Sequence, residues 1–122
     1  MPRVLVLDDN ALIALLLEEW LVELGCEVAG PVPTVAAALR LIEETGIDAA
    51  FLDLSVADGD CVPVAAALEK RSIPFTFATG GGNDGVISRF PNAAVMVKPY
   101  NFEDVKKAVT QMVTAQSARQ PG

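Results

Sequence analysis

The segment 4–9 reads VLVLDD, in which four apolar residues are followed directly by two aspartates. Such a run lacks the apolar and polar alternation of a strand with one face in water, and it is typical of a strand buried on both faces. Similar apolar runs occupy 49–52, 75–78 and 94–97, and a weaker one occupies 27–31. We predict that these five segments are strands.

Segments of helical character separate the strands. The predicted helices are 11–24, 34–45, 62–71, 86–90 and 102–116. Five alternations of strand and helix predict a three-layer (βα)5 α/β fold, with a central parallel five-stranded sheet covered by helices on both faces. The flavodoxin-like strand order 2-1-3-4-5 is the leading candidate. We predict one domain over 1–116 and a frayed tail over 117–122.

Local signals support the predicted helix boundaries. Thr34 and Asn101 are of the types that cap helix N-termini, and they precede the second and fifth predicted helices. Gly25 and Gly46 follow the first and second helices, where glycine commonly ends a helix. The glycine-rich segment 80–85 lacks the Gly-Lys-Ser/Thr of a phosphate-binding P-loop, so we expect a flexible connection before a short fourth helix.

Composition excludes several classes of function. The chain has 122 residues, of which 52% are hydrophobic, and its formal net charge is −7. This charge disfavours binding to nucleic acid. The sequence contains no histidine, which removes histidine bases and ligands, and its two cysteines lack metal or redox spacing. No uncharged apolar run approaches the roughly 20 residues that span a membrane, so we expect a soluble, cytoplasmic protein.

Polar residues follow four of the predicted strands directly. They are Asp8 and Asp9, Asp53, Thr79, and Lys98. In a parallel sheet the carboxyl ends of the strands lie at one edge, and ligands bind in the crevice outside that edge. We therefore expect three carboxylates, a hydroxyl and an amine to meet at one site. Asp8 and Asp9 could alternatively belong to an ordinary turn with a helix cap, but the joint pattern favours a site.

This set of groups suits phosphoryl transfer. Three adjacent carboxylates repel one another unless a proton or a cation lies among them, and Mg²⁺ prefers such oxygen ligands. With the charge neutralised, an aspartate can attack phosphorus and form an aspartyl phosphate. Lys98 would pair with the phosphoryl oxygens and the Thr79 hydroxyl would donate to one of them.

Over essentially the whole chain, these residues resemble the receiver domains of response regulators. The family's acidic pair matches Asp8 and Asp9, its phosphoryl acceptor matches Asp53, its Thr or Ser matches Thr79, and its Lys-Pro matches Lys98 and Pro99. The resemblance implies Mg²⁺ held by the acidic pair, by Asp53 and by the backbone carbonyl of Ser55. It also implies a cis Lys98–Pro99 bond, and catalysis limited to the domain's own phosphorylation and dephosphorylation.

The same resemblance implies a two-component or phosphorelay system, in which a phosphohistidine of a histidine kinase or phosphotransfer protein supplies the phosphoryl group to Asp53. The first helix and the loop after the fifth strand typically meet this donor, so Ala14, Leu15 and Tyr100 are candidate contacts. Plain core packing of Ala14 and Leu15 is the competing interpretation. A phosphorylation-dependent homodimer is left open.

The segment 74–80, PFTFATG, resembles the signature of the stand-alone alphaproteobacterial regulators called FAT GUY. The usual Tyr of that group is absent, because Gly81 and Gly82 follow. Two further departures concern the switch and the loop after Asp53. Val95 stands where many receivers have an aromatic switch residue, and the loop 54–59, LSVADG, is shorter than the common receiver loop and lacks its proline.

Three other functions fit parts of the pattern. A Mg²⁺-dependent phosphatase or phosphotransferase of the haloacid dehalogenase type would carry a second acid two residues after the nucleophile, where this chain has Ser55. A flavodoxin-like nucleotide or flavin module would have a Gly, Ser and Thr-rich first loop, whereas Asp8 and Asp9 would repel a phosphate. A degenerate receiver that acts only as a scaffold would not need the complete site.

Overall fold

Five parallel strands form the central sheet in the predicted order. The computed structural model describes residues 1–80 and 84–119. The strands are β1 (Arg3–Leu7), β2 (Glu27–Val32), β3 (Ala49–Asp53), β4 (Ser55–Val56), β5 (Gly59–Asp60), β6 (Phe75–Thr79) and β7 (Ala94–Val97). The sheet order is β2-β1-β3-β6-β7, which is 2-1-3-4-5 when its own strands are counted along the chain. The predicted flavodoxin-like topology is confirmed.

The helices match the predicted segments with small differences at their ends. They are α1 (Ala11–Glu23), α2 (Val35–Glu44), α3 (Val62–Lys70), α4 (Asp84–Ser88) and α5 (Phe102–Arg119). The last helix continues over 117–119, which the sequence assigned to a tail, while 120–122 lie outside the described residues. Residues 81–83 of the glycine-rich segment also lie outside them. Among the described helices, none is long and apolar enough to cross a membrane.

The sheet separates two hydrophobic cores, which explains the continuous apolar runs. Leu5 and Leu7 point into the core beneath α2 and α3, together with Ala38. Val4 and Val6 point into the opposite core, beneath α1 and α5. Successive side chains of a strand face opposite sides, so a strand covered on both faces must be apolar at every position. This burial holds the strand ends, and the polar residues that follow them, in fixed positions.

The predicted caps form as hydrogen bonds. The Thr34 side chain accepts a hydrogen bond from the Ala37 N–H, 3.2 Å away, at the start of α2. At the start of α5, the Asn101 side chain accepts from the Asp104 N–H and the Asp104 carboxylate accepts from the Asn101 N–H, both at 2.9 Å. Gly25 ends α1 with φ of +86°, a left-handed conformation that costs glycine little.

The loop after Asp53 contains a feature that the sequence analysis did not predict. β4 and β5 pair as a short antiparallel hairpin, in which Ser55 faces Asp60 and Val56 faces Gly59. The strands have two residues each, which is too short for a hydrophobic period to be visible. This hairpin lies between the end of β3 and the start of α3, next to the predicted site.

Candidate functional site

Three carboxylates meet at the carboxyl edge of the sheet. Asp8 follows β1, Asp9 comes next, and Asp53 is the last residue of the neighbouring strand β3. One carboxylate oxygen from each of these residues lies within 4.8 Å of the others. The structure thus brings together the three acids that the sequence placed at one edge.

Backbone hydrogen bonds fix the position of Asp8. Its N–H donates to the Val32 carbonyl at 3.0 Å, which extends the β1–β2 pairing by one residue. Its Oδ1 accepts from the Asn10 N–H at 2.8 Å, and its side chain is only 3% exposed. The Asn10 side chain in turn caps α1 by accepting from the Ile13 N–H at 3.1 Å. Residues 8–10 therefore form a turn that caps α1 and also supply two of the three clustered acids.

Lys98 provides the positive charge of the site. Its Nζ lies 3.4 Å from Oδ2 of Asp53 and 3.6 Å from Oδ2 of Asp8. Its backbone N–H donates to the Thr79 carbonyl at 2.7 Å, so the residue after β7 is joined directly to the last residue of β6. Thr79 is itself buried, at 6% exposure. The peptide bond between Lys98 and Pro99 is cis.

The electrostatic balance of the site raises the pKa of Asp53 above its ordinary value. Burial is the largest cause, and the nearby carboxylates of Asp8 and Asp9 raise the pKa further. Lys98 opposes this shift through its charge and its hydrogen bond. One lysine therefore only partly offsets three acids, and the site retains an excess of negative charge.

The donor set fits a hard divalent cation. All three clustered side chains offer carboxylate oxygens, and in the described part of the chain no histidine or thiol belongs to the cluster. Mg²⁺ is bound in proteins by one or two carboxylates, with other positions left to water or phosphate. The excess negative charge and the oxygen-only donors are the two properties that such an ion requires.

Comparisons with known proteins find relatives over nearly the whole chain. SdrG from Sphingomonas melonis Fr1 is 42% identical, with alignment over 96% of this chain and 97% of that chain and a TM-score of 0.78. The transcriptional regulatory protein PdtaR from Mycobacterium tuberculosis is 29% identical over 116 residues. A response regulator receiver domain from Methanospirillum hungatei shares the fold, with a TM-score of 0.86 at 23% identity over 98% of this chain and 99% of that chain.

The chain belongs to the response regulator receiver family. Receiver domains are the signalling modules of response regulators. SdrG has also been solved in a BeF3-activated conformation, and that structure is 45% identical to this receiver. The alignment with PdtaR covers 92% of this receiver but only 57% of PdtaR, so the receiver spans little more than half the length of that relative. A scan against descriptions of known protein families finds no match.

The candidate partner contacts of the receiver fall in different environments. Leu15 is 51% exposed on α1, whereas Ala14 is only 4% exposed and faces the core. A buried methyl group offers no surface to a partner, so the competing interpretation of core packing fits Ala14. The structure adds Leu12, at 77% exposure, and Leu16, at 43%, which the sequence analysis had not singled out.

Tyr100 connects α1 to the site. Its ring contacts Trp20 edge to face, with ring centroids 6.3 Å apart. Among the described residues, its hydroxyl is the one buried side-chain polar group without a hydrogen-bond partner. Burial, with smaller contributions from the charges of Asp8 and Asp53, raises the pKa of Tyr100 to about 12. The residue remains a neutral phenol at physiological pH and lies beside the acidic cluster.

Replacing Asp53 by asparagine is expected to stabilise the metal-free receiver at neutral pH, by on the order of 1 kcal/mol. Because the folded-state pKa of Asp53 lies above its unfolded value of 3.8, ionisation of this carboxyl costs stability. The cost is absent below the unfolded pKa, grows as the pH rises through the folded pKa, and is constant above it. Urea unfolding in EDTA should therefore show an advantage of Asp53→Asn that shrinks towards about pH 4.

The matched control for this prediction is Glu19→Gln, which removes one negative charge from an exposed position in the middle of α1, away from both ends of the helix. It should change stability little at either pH. Equal stability of Asp53→Asn and the unmodified receiver at neutral pH would show that Lys98 fully compensates the buried charge.

Proposed function

We propose that this receiver accepts a phosphoryl group on Asp53 in a Mg²⁺-dependent reaction. The observation that carries the proposal is the position of the Asp53 carboxylate, which lies at the carboxyl edge of the sheet beside two other acids and 3.4 Å from the Lys98 ammonium. A nucleophile and a cation for the transferred group thus occupy one site. Phosphoryl transfer depends mainly on such positioning and charge stabilisation.

In the proposed step, an Asp53 carboxylate oxygen forms a bond to phosphorus while the bond from phosphorus to the donor breaks. The electron pair of the broken bond leaves with the donor, which is a histidine nitrogen or the acetate of acetyl phosphate. No general base is needed, because the nucleophile is the carboxylate form of Asp53, which carries no proton to remove. Lys98 pairs with the phosphoryl oxygens, and the Thr79 hydroxyl donates a hydrogen bond to one of them.

Mg²⁺ would be held by the carboxylate of Asp53, by Asp8 and Asp9, one of them directly and the other through water, and by the backbone carbonyl of Ser55. When bound, the ion supplies positive charge that neutralises the carboxylates and the phosphoryl oxygens. The β4–β5 hairpin determines where the Ser55 carbonyl lies, because this residue pairs with Asp60.

The donor is proposed to be a phosphorylated histidine kinase or phosphotransfer protein, since this chain contains no histidine of its own. Such donors place the proposed reaction in the cytoplasm. The exposed leucines of α1 provide an apolar surface for this partner, and the Asn10 cap places the start of α1 directly after the acidic pair. Leu12, Leu15 and Leu16 together form what we term the α1 leucine patch.

Changing the α1 leucine patch is expected to impair transfer from a protein donor and to leave transfer from acetyl phosphate unchanged. We expect the double variant Leu12→Ser and Leu15→Ser to slow transfer from a phosphorylated kinase by roughly tenfold or more, because each residue contributes apolar contact area. Val22→Ser is the matched control, since Val22 is 61% exposed at the far end of the same helix. Equal effects of the two variants would place the docking surface elsewhere.

Intact mass spectrometry tests the proposed function. Incubation with acetyl phosphate and Mg²⁺ should add one phosphoryl group, and either EDTA or Asp53→Asn should prevent it. The same experiment is repeated with a phosphorylated kinase as donor. Absence of the adduct with both donors would overturn the proposal and favour a receiver that acts only through protein contacts.

A further inference from the structure

Asp58 joins two parts of the chain that are distant in sequence. It lies in the turn of the β4–β5 hairpin, and both of its carboxylate oxygens accept backbone hydrogen bonds from the first turn of α2. Oδ1 accepts from the Val35 N–H at 2.7 Å, and Oδ2 accepts from the Ala36 N–H at 3.2 Å. These bonds, with that from Val35 as the first cause, lower the pKa of Asp58. The carboxylate thus caps a helix that begins 23 residues earlier in the chain.

The base of the same hairpin is fixed by other contacts. Leu54 and Val56 are buried in the core beneath α2 and α3. The Asp60 carboxylate accepts from the Val62 N–H at 3.0 Å, and the Cys61 N–H donates to the Leu54 carbonyl at 3.1 Å. The tip of the hairpin, in contrast, is exposed at Ala57 and Asp58. The two bonds from Asp58 to α2 therefore hold the part of the hairpin that the core does not.

A hairpin with two residues in each strand is marginal by itself. Ser55 belongs to this hairpin, and its backbone carbonyl is a proposed ligand of the cation. The loop also lacks the proline of the common receiver loop, so no pyrrolidine ring fixes its backbone. An interaction that fixes the tip therefore also restricts the direction of the Ser55 carbonyl.

We propose that Asp58 is a positioning residue for the cation site, which it supports by tying the β4–β5 hairpin to the N-terminus of α2. This inference rests on the proposed function, because it assumes that the Ser55 carbonyl binds the ion. Residues that orient metal ligands from the second layer typically contribute 10- to 100-fold to metal affinity. Asp58 is expected to act at the lower end of that range, since it acts through the backbone.

The test compares two caps of the same helix. Thr34→Ala and Asp58→Ala each remove a side-chain acceptor from the N-terminus of α2, and each is expected to cost about 1 kcal/mol of stability. Only Asp58 also reaches the hairpin. Isothermal titration should show Mg²⁺ binding about tenfold weaker in Asp58→Ala and unchanged within about twofold in Thr34→Ala.

Two further measurements distinguish restraint of the hairpin by the Asp58 hydrogen bonds from a direct effect of the Asp58 charge. Amide exchange in metal-free protein should accelerate at the hairpin in Asp58→Ala but not in Thr34→Ala. Asp58→Asn removes the negative charge but keeps an oxygen that can accept from the Val35 N–H, so it should retain most of the Mg²⁺ affinity. An Asp58→Asn variant as weak as Asp58→Ala would indicate attraction of the cation by charge and would overturn the positioning role.

Failure of the inference is distinguishable from failure of the proposed function. If the unmodified receiver binds Mg²⁺ and forms the phosphoryl adduct, equal Mg²⁺ affinities of Asp58→Ala and Thr34→Ala overturn the inference alone. If the unmodified receiver does not bind Mg²⁺, both are overturned.

Discussion

Replacing Lys98 by alanine is expected to slow phosphorylation of Asp53 from acetyl phosphate by roughly 100- to 1,000-fold. The Lys98 ammonium lies within 3.6 Å of carboxylate oxygens of both Asp53 and Asp8, where the charge of the transferred group develops. In this partly buried site its charge is screened less than at the surface. The rate is measured by intact mass at saturating Mg²⁺, so that a change in metal affinity does not contribute.

Two variants make this result interpretable. Lys106→Ala removes the same charge from an exposed position of α5 and should phosphorylate at the unmodified rate. Lys98→Arg keeps the charge but replaces a compact ammonium with a planar guanidinium, so it should recover only part of the rate. A Lys98→Ala variant within about threefold of the unmodified rate would contradict the role that we assign to Lys98.

The second large effect is expected at Asp8. Asp8→Asn should weaken Mg²⁺ binding by at least roughly 10- to 100-fold, because it replaces a charged oxygen ligand with a neutral one. The amide oxygen can still accept the hydrogen bond that Asp8 Oδ1 receives from the Asn10 N–H, so the start of α1 should remain in place. Isothermal titration with Mg²⁺ gives the affinity, and circular dichroism checks the fold.

Asp9→Asn is the neighbouring comparison, since Asp9 offers a carboxylate oxygen to the same cluster from an exposed position. The variant with the larger loss of affinity identifies which of the two acids binds the ion directly. Glu103→Gln controls for the loss of one negative charge and should leave the affinity unchanged within about twofold. Equal losses in Asp8→Asn and Glu103→Gln would show that the general negative field, and not the Asp8 oxygen, binds the ion.

The sequence predicted the sheet and the acidic cluster for the same physical reason. A strand covered on both faces must be apolar throughout, so its end is visible where the first polar residue appears, as at Asp8 and Asp53. Parallel strands place these ends at one edge, which brings residues 45 positions apart into contact. Lys98 follows the edge strand β7, and this position places it beside both acids.

Other features could not be predicted because no local pattern encodes them. α1 is apolar on nearly every face over 11–17, so its periodicity could not show that Ala14 is buried while Leu12 is exposed. The two-residue strands of the β4–β5 hairpin are too short to show a hydrophobic period. The contact between Asp58 and α2 joins residues 23 positions apart, so it depends on how the elements pack. Val95, which stands where many receivers have an aromatic switch residue, is 42% exposed on β7.

Chemical mapping of the phosphorylated residue shows directly whether Asp53 accepts the phosphoryl group. The receiver is phosphorylated with acetyl phosphate and Mg²⁺ and then treated with borohydride, which reduces an aspartyl phosphate to homoserine. Peptide mass spectrometry locates the converted residue. We expect homoserine at position 53 and nowhere else. Conversion at Asp8 or Asp9, or a phosphoryl group that resists borohydride and remains on a hydroxyl such as that of Thr79, would contradict this expectation.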